Sequence, residues 1–215
     1  MPDRSFTVDV SNADSVTAIR TPAKPTARRG AAWTFVYAPG AGSNIHDPFG
    51  AYASRALAAQ GIAAVRFQFP YMEAGRRGPD RPSVLEATWL AVIDAVRDGK
   101  TRLAAGGRSM GGRIASMVLA RGATADALAL FAYPLRPPGK PGQLRVDHFA
   151  SIKVPALFVS GTNDAFGSPG ELRAATKMLK RSKLHLLDGA DHGFAVPKST
   201  GRTRDDVWAE AVAAF

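Results

Sequence analysis

The sequence predicts an α/β fold, a mostly parallel central sheet with helices on both faces. Three observations predict it. From Trp33 onward, short apolar runs that read as buried strands alternate with segments whose apolar residues recur at helical spacing. That alternation is the signature of strands joined by crossover helices. No internal repeat or interdomain linker interrupts it, so 215 residues of 46% hydrophobic composition read as one domain over 1–215, with residues 1–30 as an N-terminal edge hairpin and loop.

In chain order, residues 6–10 and 15–20 alternate weakly around Asn12-Ala13-Asp14, which predicts an antiparallel hairpin at the sheet edge. Residues 21–30, rich in Pro, Lys and Arg, read as an exposed loop. The β-branched and aromatic residues 33–37 read as a strand running into Pro39-Gly40-Ala41-Gly42-Ser43-Asn44. Asp47-Pro48 starts a helix, with Asp as N-cap and Pro in the first turn, and Gly61 closes it. Residues 62–69 are a second strand, and 71–81 a long polar loop. Ser83-Val84-Leu85-Glu86 matches a capping box, followed by a helix with Val84, Thr88, Val92 and Val96 on one stripe and Leu85, Trp89 and Ile93 beside it. Residues 101–105, 127–133, 154–161 and 184–187 are further strands. Between the second and third of these, 134–147 forms a proline-rich loop too short for a lid domain. Ser168-Pro169-Gly170-Glu171 caps a helix with Leu172, Ala175, Thr176 and Leu179 inward. A last helix carries Val207, Trp208, Ala211, Val212 and Phe215.

The chemistry centres on Gly107-x-Ser109-x-Gly111, placed between the 101–105 strand and a helical segment with Ile114, Met117 and Val118 in register. A strand–turn–helix context is what a nucleophile elbow requires: a strained turn that exposes the serine oxygen above the sheet. Asp164 and His192 follow two later strand ends. In a parallel sheet these ends share one edge, where open α/β folds place their sites. The chain order Ser, Asp, His differs from that of the chymotrypsin and subtilisin types and is that of α/β-hydrolases. A serine hydroxyl needs an adjacent base to attack at neutral pH. His192 fits as that base and Asp164 as its orienting acid, with Asp188 in reserve. His46, His148 and His185 are weaker candidates, and Asp191 adjoins His192 too closely in sequence to face it. The backbone N–H groups of Met110 and Ala41 are the expected oxyanion donors. Ser43, Asn44, His46, Tyr71, Met72, Pro134 and Leu135 are candidates for the substrate pocket, within walls drawn from 43–49, 71–82 and 134–149.

These motifs resemble the small α/β-hydrolases grouped with testis-expressed protein 30 and subunit 3 of the NSL histone-acetyltransferase complex, with dienelactone hydrolase more distant. The resemblance runs from about Phe35 to the end. It rests on Pro39-Gly40-Ala41-Gly42, Gly106-Gly107-Arg108-Ser109-Met110-Gly111, Tyr133-Pro134-Leu135, residues 157–161 with Asp164, and Ala190-Asp191-His192. It implies an α/β-hydrolase core with little or no cap, Ser109, Asp164 and His192 as the triad, and an oxyanion donor at Ala41. Pro39 stands where the group often has histidine, and Ser109 where dienelactone hydrolases have cysteine.

Composition narrows the function classes. There is no cysteine, which excludes disulfides, thiolate metal sites and a cysteine nucleophile. Four scattered histidines without a His-Glu-x-x-His motif lead us to expect no metal, and the glycine-rich stretch fits neither a P-loop nor a dinucleotide fingerprint, so no cofactor is expected. The N-terminus lacks a signal-peptide pattern and no apolar run reaches membrane-span length, so the expectation is a soluble cytoplasmic protein without a membrane partner. The net charge of +10 comes from 28 Lys and Arg against 18 Asp and Glu, scattered without interleaved aromatics. It reads as a solvated basic face rather than a nucleic-acid site. Arg76, Arg77 and Arg81 read the same way, with attraction of an acidic acyl group as the rival reading. The expected function is a serine hydrolase working through an acyl-enzyme, a carboxylesterase on small acyl esters. Thioester, amide or lactone cleavage would use the same machinery. The alternatives are a non-catalytic scaffold retaining the fold, or a basic anion- or nucleic-acid-binding module. The sequence assigns no oligomeric state.

Overall fold

The computed structural model describes residues 2–11, 15–26, 30–140 and 142–215. At the N-terminus, β1 (Arg4–Val8) and β2 (Val16–Thr21) pair antiparallel, with Arg4 opposite Arg20 and Val8 opposite Val16. The expected turn residues Asn12-Ala13-Asp14 lie outside the described residues, as do 27–29 of the following loop.

The remaining elements alternate as expected. They are β3 (Trp33–Ala38), α1 (Pro48–Ala59), β4 (Ile62–Phe67), α2 (Pro70–Glu73), α3 (Pro82–Val96), β5 (Arg102–Arg108) and α4 (Met110–Ala120), then β6 (Ala127–Phe131), β7 (Ala156–Gly161), α5 (Pro169–Thr176), β8 (Ser182–Leu187) and α6 (Arg204–Ala213). One eight-stranded sheet runs β1-β2-β4-β3-β5-β6-β7-β8, and β3 to β8 pair in parallel throughout. All residues of β4 are buried, as in a strand covered on both faces. One core, with Val36, Val65, Trp89, Ile114, Leu130 and Leu172, lies under α3, α4 and α5. The other, with Phe35, Phe49, Leu57, Phe131, Val207 and Val212, lies under α1 and α6. Each large side chain so buried contributes about 1.5–3 kcal/mol.

Helix starts follow local chemistry. The Asp47 side chain accepts the Gly50 N–H and caps α1, while Ser168 and Glu171 form the full capping box of α5. Two expectations are corrected. Ser83 does not cap α3: Pro82 occupies the first turn, Arg81 is the N-cap, and no side chain caps the end. Pro favours that first position because its missing N–H is not needed there. The stretch expected as loop 71–81 begins inside the helical turn α2.

The strand order sets up the site. The chain leaves β3, crosses through α1 to β4 on one side, and then returns through α3 to β5 on the other side of β3. The loops after β3 and β5 therefore diverge from adjacent strands, a switch point where a crevice opens.

Candidate active site

The elbow follows β5 directly. Ser109 has φ 51° and ψ −116°, and its N–H is held by the Phe131 carbonyl at 2.9 Å. It occupies the N-cap position of α4, yet its side chain caps nothing. The oxygen is turned instead toward His192, whose Nε2 lies 2.9 Å from Oγ. Among the described residues, Ser109, Ala132 and Phe194 are the non-glycine residues at positive φ. They follow β5, β6 and β8, so the strained backbone gathers at one edge of the sheet. The tight turn needs its glycines: a Cβ on Gly107 would come within 2.1 Å of the Ala38 carbonyl oxygen, and one on Gly111 within 2.2 Å of the same atom.

His192 sits in the loop after β8. Its Nδ1 lies 2.8 and 3.0 Å from the two carboxylate oxygens of Asp164. The Asp164 side chain is fully buried and His192 is one-quarter exposed. Asp164 is fixed by the Phe166 N–H at 2.8 Å and the Ser160 hydroxyl at 3.3 Å. Asp191 is spent on its own loop, where Oδ1 accepts the Gly193 and Ala195 N–H groups at 2.7 and 2.9 Å. Asp188 is exposed. The other histidines are elsewhere: His185 pairs with Glu210 at 2.8 Å, His148 with Ser116 at 2.7 Å, and His46 is exposed.

A cleft of about 620 Å³ opens over Ser109 and His192, lined also by Gly40, Ala41 and Met110. Gly40 lies against Ser109, since a Cβ there would be 3.6 Å from the serine Cβ. Among the described residues, neither the Ala41 nor the Met110 N–H donates to a protein acceptor. The neighbouring Gly42 N–H is taken by the Tyr71 hydroxyl at 3.1 Å. A slightly larger groove of about 700 Å³ lies at the opposite sheet edge, beside Trp33, Arg181 and Phe215. Its lining includes no histidine, aspartate or glutamate, and its one side-chain hydroxyl, Ser182, donates to the Thr176 carbonyl. Volume alone would choose that groove, but the reactive groups are in the other.

Of the pocket candidates, Ser43 and Pro134 line the cleft. Tyr71 and Leu135 are fully buried, Met72 packs against the core, and the Asn44 side chain accepts the His46 N–H. None of these five is among the lining residues. Arg76, Arg77 and Arg81 are exposed and outside it, with Arg76 paired to Asp80 at 2.6 Å. Arg108, Arg113, Arg145 and Phe166 do line it. Phe166 stands 4.5 Å from the imidazole, centroid to centroid. Arg108 and Arg113 flank the serine in sequence, which was the available signal; Phe166 had none.

A parallel sheet whose edge brings a strained serine, a histidine and a buried aspartate within hydrogen-bond reach defines the hydrolase class of α/β protein. Residues 31–215 match the family described as the alpha/beta hydrolase domain, and the chain belongs to that family. Among solved structures it is similar to an alpha-beta serine hydrolase homologue from Coxiella burnetii, with TM-score 0.78, 18% identity, and 100% and 98% of the two chains covered. It is also similar to a serine hydrolase without a lid from Xanthomonas campestris, with TM-score 0.76, 20% identity, and 100% and 94% covered. Dienelactone hydrolase from Anabaena variabilis gives TM-score 0.74, 18% identity, and 100% and 96% covered. Among the described residues, no helix is long and apolar enough to cross a membrane.

Proposed function

We propose that the protein is a serine hydrolase that cleaves small acyl esters through an acyl-enzyme. The observation that carries this is the continuous chain from Ser109 Oγ to His192 Nε2 at 2.9 Å and from His192 Nδ1 to Asp164 at 2.8 Å. A hydroxyl at that distance from an imidazole can pass its proton as it attacks a carbonyl carbon.

In this reading the Ser109 oxygen forms the new C–O bond while His192 takes the proton. The carbonyl electrons move onto oxygen, where the Ala41 and Met110 N–H groups stabilise the charge. Collapse expels the alcohol, which receives the proton from His192 and leaves the acyl group on Ser109. Water, deprotonated by His192, attacks the acyl-enzyme; a second collapse releases the acid and restores the serine. Asp164 holds the imidazole in one tautomer and balances its positive charge. The Ala41 and Met110 amides, which among the described residues donate to no protein acceptor, support this role as oxyanion donors. In the same reading, the Gly-Gly-Arg-Ser-Met-Gly and Tyr-Pro-Leu runs support a likeness to the small testis-expressed protein 30 group.

Intact-mass measurement after incubation with a fluorophosphonate tests the nucleophile. We expect one adduct on wild type and none on Ser109→Ala. An adduct that persists on the variant, or none on folded wild type, would remove Ser109 from the role.

A further inference from the structure

The cleft over Ser109 carries three arginines and two aspartates, and their charges are unevenly satisfied. Asp80 is occupied by Arg76 at 2.6 Å and by the Tyr71 N–H at 2.8 Å. Asp47 accepts the Tyr37 hydroxyl at 2.6 Å, the Gly50 N–H at 2.8 Å and the Ser43 hydroxyl at 3.2 Å, and its Oδ1 lies 3.8 Å from Arg108. Arg113 and Arg145 remain. Among the described residues, neither has a carboxylate within ion-pair distance. Among the described residues, the Arg113 guanidinium hydrogen-bonds only the Met117 sulfur, at 3.1 Å, a weak acceptor.

We propose that the substrate of this hydrolase carries a carboxylate, and that Arg113 and Arg145 hold it beside Ser109. The inference rests on the hydrolase reading above and adds the chemical class of its substrate. Both guanidiniums hang from fixed backbone. The Arg113 N–H bonds the Ser109 carbonyl at 3.0 Å, one turn into α4. The Arg145 N–H bonds the Leu135 carbonyl at 2.8 Å, and its own carbonyl accepts the Tyr133 hydroxyl at 2.7 Å. Two half-buried like charges without a counter-ion are costly, and burial followed by the Arg113 charge draws Arg145 below the ordinary guanidinium range. An anion between them relieves both, and the planar guanidinium fork matches a carboxylate in two-point contact. Neutral esters gain nothing from either residue. The carboxylate belongs to the acyl chain or to the alcohol; the chemistry of its capture is the same.

The test compares matched esters. Monoethyl glutarate against ethyl pentanoate places the charge on the acyl side. Carboxymethyl butanoate against propyl butanoate places it on the alcohol side. We expect wild type to favour one charged ester over its neutral partner by at least tenfold in kcat/KM, and the favoured pair names the side. Arg113→Gln and Arg145→Gln should each remove at least tenfold from the charged ester and leave the neutral one within twofold; Arg145→Lys should restore part. No preference in wild type, or equal losses on charged and neutral esters, would overturn the proposal. Fluorophosphonate labelling run alongside separates the two ideas. Labelling without charge preference ends this inference and leaves the hydrolase reading intact. If Ser109 takes no label, glutarate binding by calorimetry decides. At least tenfold weaker binding to the doubly substituted protein keeps the carboxylate site, and equal binding removes it.

Discussion

Arg108 Nη2 donates to the carbonyl of His192 at 3.4 Å. The same guanidinium lies 3.8 Å from Asp47 and 5.9 Å above the Phe194 ring. The residue before the serine therefore ties the histidine loop to the capped start of α1. Arg108→Gln shortens that tie and leaves the histidine loop less well placed. We expect kcat on a neutral ester to fall about tenfold, the equivalent of about 1.4 kcal/mol in the barrier, with KM nearly unchanged. A loss confined to KM would assign Arg108 to substrate binding instead.

Asp164 touches the imidazole with both oxygens and has no exposed side-chain surface. Asn at this position keeps the shape but offers an N–H where an acceptor is needed, which favours the wrong imidazole tautomer. In a triad such a change lowers kcat by about 10⁴. Asp164→Asn should therefore keep its fold, read by circular dichroism, and turn over esters about 10⁴-fold more slowly. Activity within tenfold of wild type would mean that another group orients His192.

The candidate site is legible in the sequence where its signals are local. The elbow is a local motif whose strand, strained turn and helix are neighbours in sequence. The strand ends at Gly161 and Leu187 were marked by their own apolar runs, and a parallel sheet brings such ends to one edge. The walls are different. Tyr71 falls in a stretch that looks like polar loop, but α2 rotates it fully inward to brace Gly42. Arg145 reaches the cleft only because its loop folds back onto Tyr133 and Leu135, a contact with no periodic signal. Exposed Arg76 and half-buried Arg113 look alike as letters, and tertiary packing alone separates them.

Gly107 lies where β5 meets β3. A methyl group there would sit 2.1 Å from the Ala38 carbonyl oxygen, with the backbone at φ 152°. The three nearest atoms all belong to the Ala38 backbone in the middle of the sheet, which cannot swing aside as a side chain would. Gly107→Ala should cost more than about 3 kcal/mol, the upper end of overpacking, read as a lowered urea midpoint or loss of soluble protein. Gly122→Ala is the control, with φ 100° but nothing within 4 Å of the added carbon. It bears backbone strain alone, about 1–3 kcal/mol. Equal effects at the two positions would show that conformation rather than close approach governs Gly107.

His148 precedes the 3-10 turn Phe149–Ser151 and follows Arg145 by one short step of chain, so its state bears on the cleft wall. Burial, with help from Arg113 and Arg121 and against Asp147, lowers its pKa from 6.5 to about 4. Ser116 Oγ lies 2.7 Å from Nε2 and donates to the Arg113 carbonyl at 2.7 Å, so Nε2–H donates to the hydroxyl oxygen. Because the folded-state pKa lies below the unfolded one, the unfolded chain takes up the proton first as the solution is acidified. The contribution of His148 to stability is therefore whole above pH 6.5 and is lost progressively as pH falls toward 4. His148→Gln removes this one titration and leaves those of the carboxylates. Urea midpoints measured from pH 7.5 down to 4 should show the wild type losing ground faster than the variant below about pH 6.5. A gap between the two that stays constant over that range would mean that the ring is protonated without penalty in the folded protein, and that His148 is better solvated than its surroundings imply.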